Sequence, residues 1–227
     1  MLRFPQFENI GVACAAISDA SDGDCGASDD PQTNRARFLT RCTAKPRALV
    51  CPNQVHGTNI YVAEDNETPN PTADGLLTQI PDLPIAITVA DCVPVFLLDP
   101  IHRVVGLAHA GREGTYLGVT KALVEKAQHI YDVNPADLHA IIGPAAGPCC
   151  YQVSNEIAQR FKDAGLPVNN RNIDLWAANQ QQLIAAGLTP HNIETTRHCT
   201  ICKKRFHSFR HTKTADRNLA LLLLKTS

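Results

Sequence analysis

The 227-residue chain has almost no excess of charge: lysine and arginine number 21 against 22 acidic residues, a formal net charge of −1. That balance gives no electrostatic reason to expect nucleic acid or a membrane surface as partner. No apolar run reaches the ~18 residues of a membrane span. Met1–Ile10 is interrupted by Pro5 and Glu8 and lacks the apolar core of a signal peptide. Also missing are a Gly-x-Ser-x-Gly nucleophile elbow, a Walker loop and a dinucleotide fingerprint, so three large enzyme classes lose their sequence signature. Cysteine is plentiful, but the nine residues form an odd set without framework spacing. This argues against a disulfide-stapled secreted domain and for reduced thiols in the cytoplasm. With 44% hydrophobic and 19% charged residues, the composition is that of a soluble globular protein with a substantial core.

Hydrophobic periodicity predicts strands at 10–17, 48–51, 60–63, 93–98, 104–108, 138–142, 193–200 and 206–209, and helices at 34–43, 115–131, 153–164 and 174–186. The helix at 115–131 carries Tyr116, Val119, Leu123, Ala127 and Ile130 as one apolar stripe. Leu219–Leu224 is uniformly apolar and fits either a strand or a helix. Loops are expected at 18–33, where five aspartates sit without the glycine and ligand spacing of a cation loop, and at 66–73. Strands and helices alternate irregularly and no linker divides the chain. The expectation is an α+β fold over residues 1–227 as one layered domain.

The most apolar region, 88–111, holds two potential metal ligands, Cys92 and His109. Asp99-Pro100-Ile101-His102 reads as the turn between its strands. With Pro100 and Ile101 central, paired positions would sum to 201 and Cys92 would face His109, although proline does not suit the primed turns of tight hairpins. His56, beside Gly57, is a third candidate. Two histidines and a cysteine with one position open match catalytic zinc stoichiometry, but spacing alone equally allows a buried cysteine and two structural histidines. Cys92 could also act as a nucleophile with His109 as its base. Near the C-terminus Cys199-x2-Cys202-x4-His207-x3-His211 approaches a zinc-knuckle spacing, against a plainer reading as reduced thiols on a strand beside a basic loop. Cys149-Cys150 reads as a buried pair or a redox pair.

The chain also resembles the YfiH family, described both as laccase-like polyphenol oxidases and as purine nucleoside phosphorylases. The matching pieces are Gln54-Val-His-Gly57, Ala73-Asp-Gly75, Thr88-x-Ala-Asp-Cys-Val-Pro94, His109-Ala-Gly111, Gly143-Pro-Ala-Ala-Gly-Pro-Cys-Cys-Tyr-Gln-Val153, Asp174-Leu175 with Asn179 and Gln182-Leu183, Cys199-Thr200 and Phe206-x-Ser-Phe-Arg210, in the family's order. The resemblance implies an α/β/β/α layered domain similar to the catalytic domain of cytotoxic necrotizing factor, with zinc on His56, Cys92 and His109. It implies phosphorolysis of adenosine, inosine, guanosine or methylthioadenosine, with purine nucleosides and phosphate as partners, and deamination of adenosine. The alternatives are copper-dependent phenol oxidation, editing of peptidoglycan precursors, or binding without catalysis.

Where the family reads His-Ala-Gly-Trp-Arg-Gly, this chain has His109-Ala-Gly-Arg-Glu-Gly114, and the family's N-terminal Arg and Gly-Gly-x-Ser pattern is missing from 12–30. On this basis Asp91 is the expected proton carrier, Arg112 and Arg210 the expected phosphate ligands, and deamination the better preserved activity.

Overall fold

A six-stranded and a four-stranded sheet lie face to face in a computed structural model that describes residues 1–26, 30–43, 47–64 and 70–226. The larger sheet runs in the order Ile193–Thr195, His139–Ile142, Val93–Asp99, Val104–Ala110, Gly75–Thr78, Ile60–Val62; the smaller runs Leu2–Arg3, Val12–Ile17, Asn218–Leu224, Ile85–Val89. Because successive side chains alternate between faces, each strand feeds two cores. Phe96, Leu98, Val105 and Leu107 meet Ile85, Ile87, Ala220 and Leu222 between the sheets. On the outer face of the larger sheet Val95, Leu97, Ala108 and Ala110 pack with helices Val119–Tyr131, Asn155–Asp163 and Leu175–Ala185. Beyond the smaller sheet Cys14, Ala16, Leu219, Leu221 and Leu223 pack against Phe38 and Leu39 of helix Pro31–Thr40. The result is the expected α/β/β/α layering. Every residue of Val93–Asp99, Val104–Ala110 and Asn218–Leu224 is buried, since both faces of these strands are covered. That double burial is why 219–224 shows no alternation, and the segment is a strand.

Several expected elements differ. The central hairpin closes through four residues, Pro100–Arg103, not two: Asp99 pairs with Val104, and Arg103 takes a left-handed φ of 55°. The Asp99 carboxylate accepts from the N–H of Ile101 and of His102, which stabilises the wider loop. Paired positions therefore sum to 203, so His109 faces Pro94, and Cys92 lies diagonal to it, next to Gly111. The two-residue shift leaves every side chain on its expected face. The helix expected at 115–131 starts at Arg112 and breaks at Gly118, whose φ of 90° divides Arg112–Leu117 from Val119–Tyr131. Residues 48–51 contribute an isolated bridge from Val50 to Ile85 instead of a strand. The strand from Ile193 stops at Thr195, and 206–209 is no strand: Phe209–Thr212 forms a helical turn capped by Ser208. Residues 66–69 of one expected loop, with Ala27, Ser28 and Asp29 of the other, lie outside the described residues. No helix is long and apolar enough to cross a membrane among the described residues.

Candidate functional site

Asp74 organises the site, although the sequence offers it only within the matching piece Ala73-Asp-Gly75. Its side chain is fully buried at the start of strand Gly75–Thr78. One carboxylate oxygen accepts the His56 N–H at 2.9 Å and lies 2.9 Å from His109 Nδ1; the other accepts the N–H of Gly57 at 2.7 Å and of Val55 at 3.2 Å. The carboxylate thus folds the 55–57 loop onto the sheet, with His56 at a φ of 61°. It also fixes the His109 tautomer, so that Nδ1 donates to Asp74 and Nε2 remains for a ligand. Burial opposes ionisation of Asp74, but the His109 ring and the loop N–H groups outweigh it and hold the carboxyl below its usual range.

The ligand atoms of His56, Cys92 and His109 lie within 4.8 Å of one another, and the two imidazole rings meet edge to face at 4.8 Å. Burial would push the Cys92 thiol up, yet His109 and His56 draw it down to about 6. Burial would keep His109 neutral, yet the nearby Cys92 sulfur and Asp74 push it up to about 9. Without a metal the pair is therefore thiolate and imidazolium near neutrality, and a divalent cation would take the thiolate and displace the imidazolium proton. Two donors bonded to one zinc at ~2.0–2.3 Å sit up to roughly 4.5 Å apart, so this set fits a single ion after small closure.

Gly111 faces the cluster. A Cβ there would stand 2.9 Å from Cys92 Sγ and 3.1 Å from His56 Cδ2, while its backbone conformation is open to any residue. Gly111→Ala is therefore expected to leave the fold intact and displace both side chains, lowering metal affinity by at least about 10-fold, the scale of losing ligand orientation. A metal titration beside a thermal melt checks this; unchanged affinity would show that the loop yields freely.

A cavity of about 740 Å³ opens above the three side chains. Arg112 and Arg210 line it as the sequence suggests, and so do Arg35 and Arg217, which it did not suggest. Arg35 comes from helix Pro31–Thr40 and Arg217 from the residue before the last strand, more than a hundred positions apart, so no local motif joins them. Arg210 lies over the Tyr151 ring at 4.9 Å, and Phe209, 48% exposed, shares the wall. Glu113 is not on this lining; it pairs with Arg112 and Arg160, each at 2.9 Å.

Among the described residues Asp91 is the one carboxylate on the lining, and its oxygens are committed. Thr200 Oγ1 and Ser208 Oγ each donate to it at 2.6 Å, as does the Arg210 N–H. Asp91 thus anchors the 200–210 segment as the opposite wall. Asn179 and Gln182, part of the matching motifs, do not line the cavity either; they hydrogen-bond Thr115 and so clamp helix Arg112–Leu117. The zinc-knuckle reading fails. His207 Nε2 contacts the Gly23 carbonyl, and neither His207 nor His211 joins a group of potential ligands among the described residues.

A layered α/β/β/α fold with two histidines and a cysteine beneath a cationic cavity defines a narrow class of protein. The family described as multi-copper polyphenol oxidoreductase laccase matches residues 18–225, and the chain belongs to this family, the YfiH family. It is 34% identical over 214 residues to a purine nucleoside phosphorylase, YlmD, of Geobacillus stearothermophilus, covering 85% of this chain and 78% of that one. It is 32% identical to adenosine deaminase RL5 of an unknown prokaryotic organism, over 68% of this chain and 66% of that one. The crystal structure of YlmD from Geobacillus stearothermophilus superposes with a TM-score of 0.84 at 30% identity, covering 94% and 92% of the two chains. That of the Bacillus licheniformis hypothetical protein YfiH gives 0.81 at 28%, covering 93% and 92%.

Proposed function

We propose that the chain is a zinc-dependent purine nucleoside enzyme, which cleaves the glycosidic bond of adenosine and related nucleosides with phosphate and also deaminates adenosine. The observation that carries this reading is the juxtaposition of four arginines and a His₂Cys cluster in one cavity whose one acid, among the described residues, is already hydrogen-bonded. A volume near 740 Å³ lies within the ~300–1,000 Å³ of small-ligand sites, and its polarity suits an anion beside a flat ring. Relatives named purine nucleoside phosphorylase and adenosine deaminase support the same reading.

In phosphorolysis a phosphate oxygen bonds to C1′ while the C1′–N9 bond breaks; the purine leaves with the electron pair and takes up a proton. Ribose 1-phosphate is the second product. Arg35, Arg210 and Arg217 hold the phosphate, and Phe209 offers an exposed ring for the base to stack on. Arg112 contributes less, because Glu113 shares its charge. In deamination water adds to C6 and ammonia leaves. His56, Cys92 and His109 would hold zinc, which supplies Lewis acidity at neutral pH. The four arginines on the lining favour phosphorolysis as well as the deamination expected to be better preserved. Against a multicopper oxidase stands the ligand inventory: among the described residues this cluster gathers two of the nine histidines, and the other group of potential ligands has none.

Chromatography of products from adenosine across a phosphate titration tests the reading. Free adenine should rise with phosphate, and inosine should form without it. Arg210→Ala is expected to raise the phosphate concentration for half-maximal adenine release by roughly 10–100-fold, the scale of a charge-assisted contact. Inosine formation should change little, since the anchor to Asp91 is the Arg210 backbone N–H and survives the change. Phenol oxidation with copper and no purine turnover would overturn the proposal.

A further inference from the structure

The two cysteine pairs that the sequence separates by about fifty residues meet in the fold. Cys149 and Cys150 close the Gly/Pro-rich loop after strand His139–Ile142, while Cys199 is the N-cap of the short helix Thr200–Lys203 and Cys202 lies within it. All four sulfurs lie within 4.8 Å of one another, with Cys149 and Cys202 at 3.9 Å. The cavity described above belongs to a different set of residues: none of these four side chains lines it.

We infer that Cys149, Cys150, Cys199 and Cys202 form a second metal site, a tetrathiolate that takes a zinc ion of structural kind. Four sulfurs bonded tetrahedrally at ~2.3 Å stand about 3.8 Å from one another, close to the Cys149–Cys202 separation. The backbone is already arranged to carry thiolate charge. Cys199 Sγ accepts the Gly147 N–H at 3.4 Å. A buried peptide donor on this sulfur is of little use to a neutral thiol, a weak acceptor, and suits a metal-bound thiolate. Zinc entry would release up to four thiol protons and leave a complex of charge −2, close in sequence to Lys203 and Lys204.

The site would serve the cavity without touching it. Tyr151 follows Cys150 directly, and Thr200, which follows Cys199, donates to Asp91. Ala145 and Cys199 form a bridge, and Gly147 packs against Trp176 and the Cys199 Cβ. A metal pinning the 147–150 loop to the 199–202 turn would fix the wall that carries Tyr151 and, through Asp91, Arg210. Two disulfides would cross-link the same segments, and a geometry of four mutually close sulfurs favours a shared ion over two separate bonds of ~2.05 Å.

The test uses the Cys92→Ala chain, in which the His₂Cys cluster has lost its thiolate, so its result does not depend on the function proposed above. Purified from zinc-supplemented medium, this chain should hold about one zinc by elemental analysis, and adding Cys149→Ser and Cys202→Ser should reduce that to background. Cobalt in place of zinc should give intense sulfur-to-cobalt charge transfer and tetrahedral ligand-field bands. Because the serine variants could fail to fold, zinc-edge X-ray absorption of the unaltered chain is the second measurement. It should show more sulfur neighbours per zinc than the single Cys92 allows. A Cys92→Ala chain with no retained zinc would overturn the inference, whether its other thiols titrate as free or its mass is short by the hydrogens of a disulfide. A zinc-edge spectrum with one sulfur per zinc would overturn it as well.

Discussion

Asp74→Ala is expected to destabilise the protein by roughly 3–5 kcal/mol, the scale of breaking a buried charged pair. The change leaves the N–H groups of Val55, His56 and Gly57 and the ring N–H of His109 without their acceptor, in a site where water cannot fully replace it. For a chain of this size the melting temperature should fall by about 6–20 °C. Asp74→Asn separates stability from chemistry. It keeps the volume but offers one acceptor oxygen where the carboxylate used two, so metal affinity should drop roughly 10–100-fold with a smaller loss of stability. The pH dependence has a definite sign. The folded carboxyl sits below its unfolded value of about 3.9, so its contribution is present above that pH and is lost as pH falls through the lower folded value. Acid titration of stability should show this loss in the unaltered protein and not in Asp74→Asn. A melt and a metal titration unaffected by Asp74→Ala would remove the carboxylate from its central place.

Asp91 gives the second large effect, and its two variants distinguish two roles. Asp91→Ala strands the hydroxyls of Thr200 and Ser208 and the N–H of Arg210, and forces alanine into a φ of 79° at a further cost of about 1–2 kcal/mol. Asp91→Asn tolerates that φ and retains one acceptor oxygen. If Asp91 positions the wall, Asp91→Asn should raise KM for phosphate and nucleoside by several-fold and leave kcat within about an order of magnitude. A proton carrier would instead lose roughly 10²–10⁴-fold in kcat with little change in KM. Steady-state kinetics with adenosine decides between them, and a kcat collapse at constant KM would restore the role that the sequence suggested.

How much of this was legible in the sequence depends on where each signal sits. His56, Cys92 and His109 stand beside apolar runs or glycines and could be nominated one by one, and the fold brings their donor atoms within 4.8 Å. The register could not be read, because Asp99 caps a four-residue loop where the sequence suggested a two-residue turn. Asp74 was visible only as part of the piece Ala73-Asp-Gly75, and its four hydrogen-bond partners lie 17 to 35 residues away, beyond any local pattern. Arg35 and Arg217 reach one cavity from opposite halves of the chain, and only the closed sandwich unites them. The same holds for the four cysteines. Cys199 and Cys202 had a ready partner pair in His207 and His211 by spacing, and the short helix Thr200–Lys203 turns the sulfurs the other way, toward Cys149 and Cys150.

The position of strand Asn218–Leu224 bears on how the protein is made. It lies between Val12–Ile17 and Ile85–Val89, so those two strands have no direct pairing with each other. On the ribosome, Val12–Ile17 and Ile85–Val89 are synthesised more than a hundred residues before the strand that joins them. Until it emerges, the inner faces of both and the matching face of the larger sheet stay uncovered, including Phe96, Leu107 and Ile87. Contacts of such long sequence separation close late and slowly. The nascent chain is thus expected to remain a client for chaperones until synthesis passes residue 224, and a ribosome stalled before Asn218 should display a protease-sensitive, aggregation-prone half-sandwich.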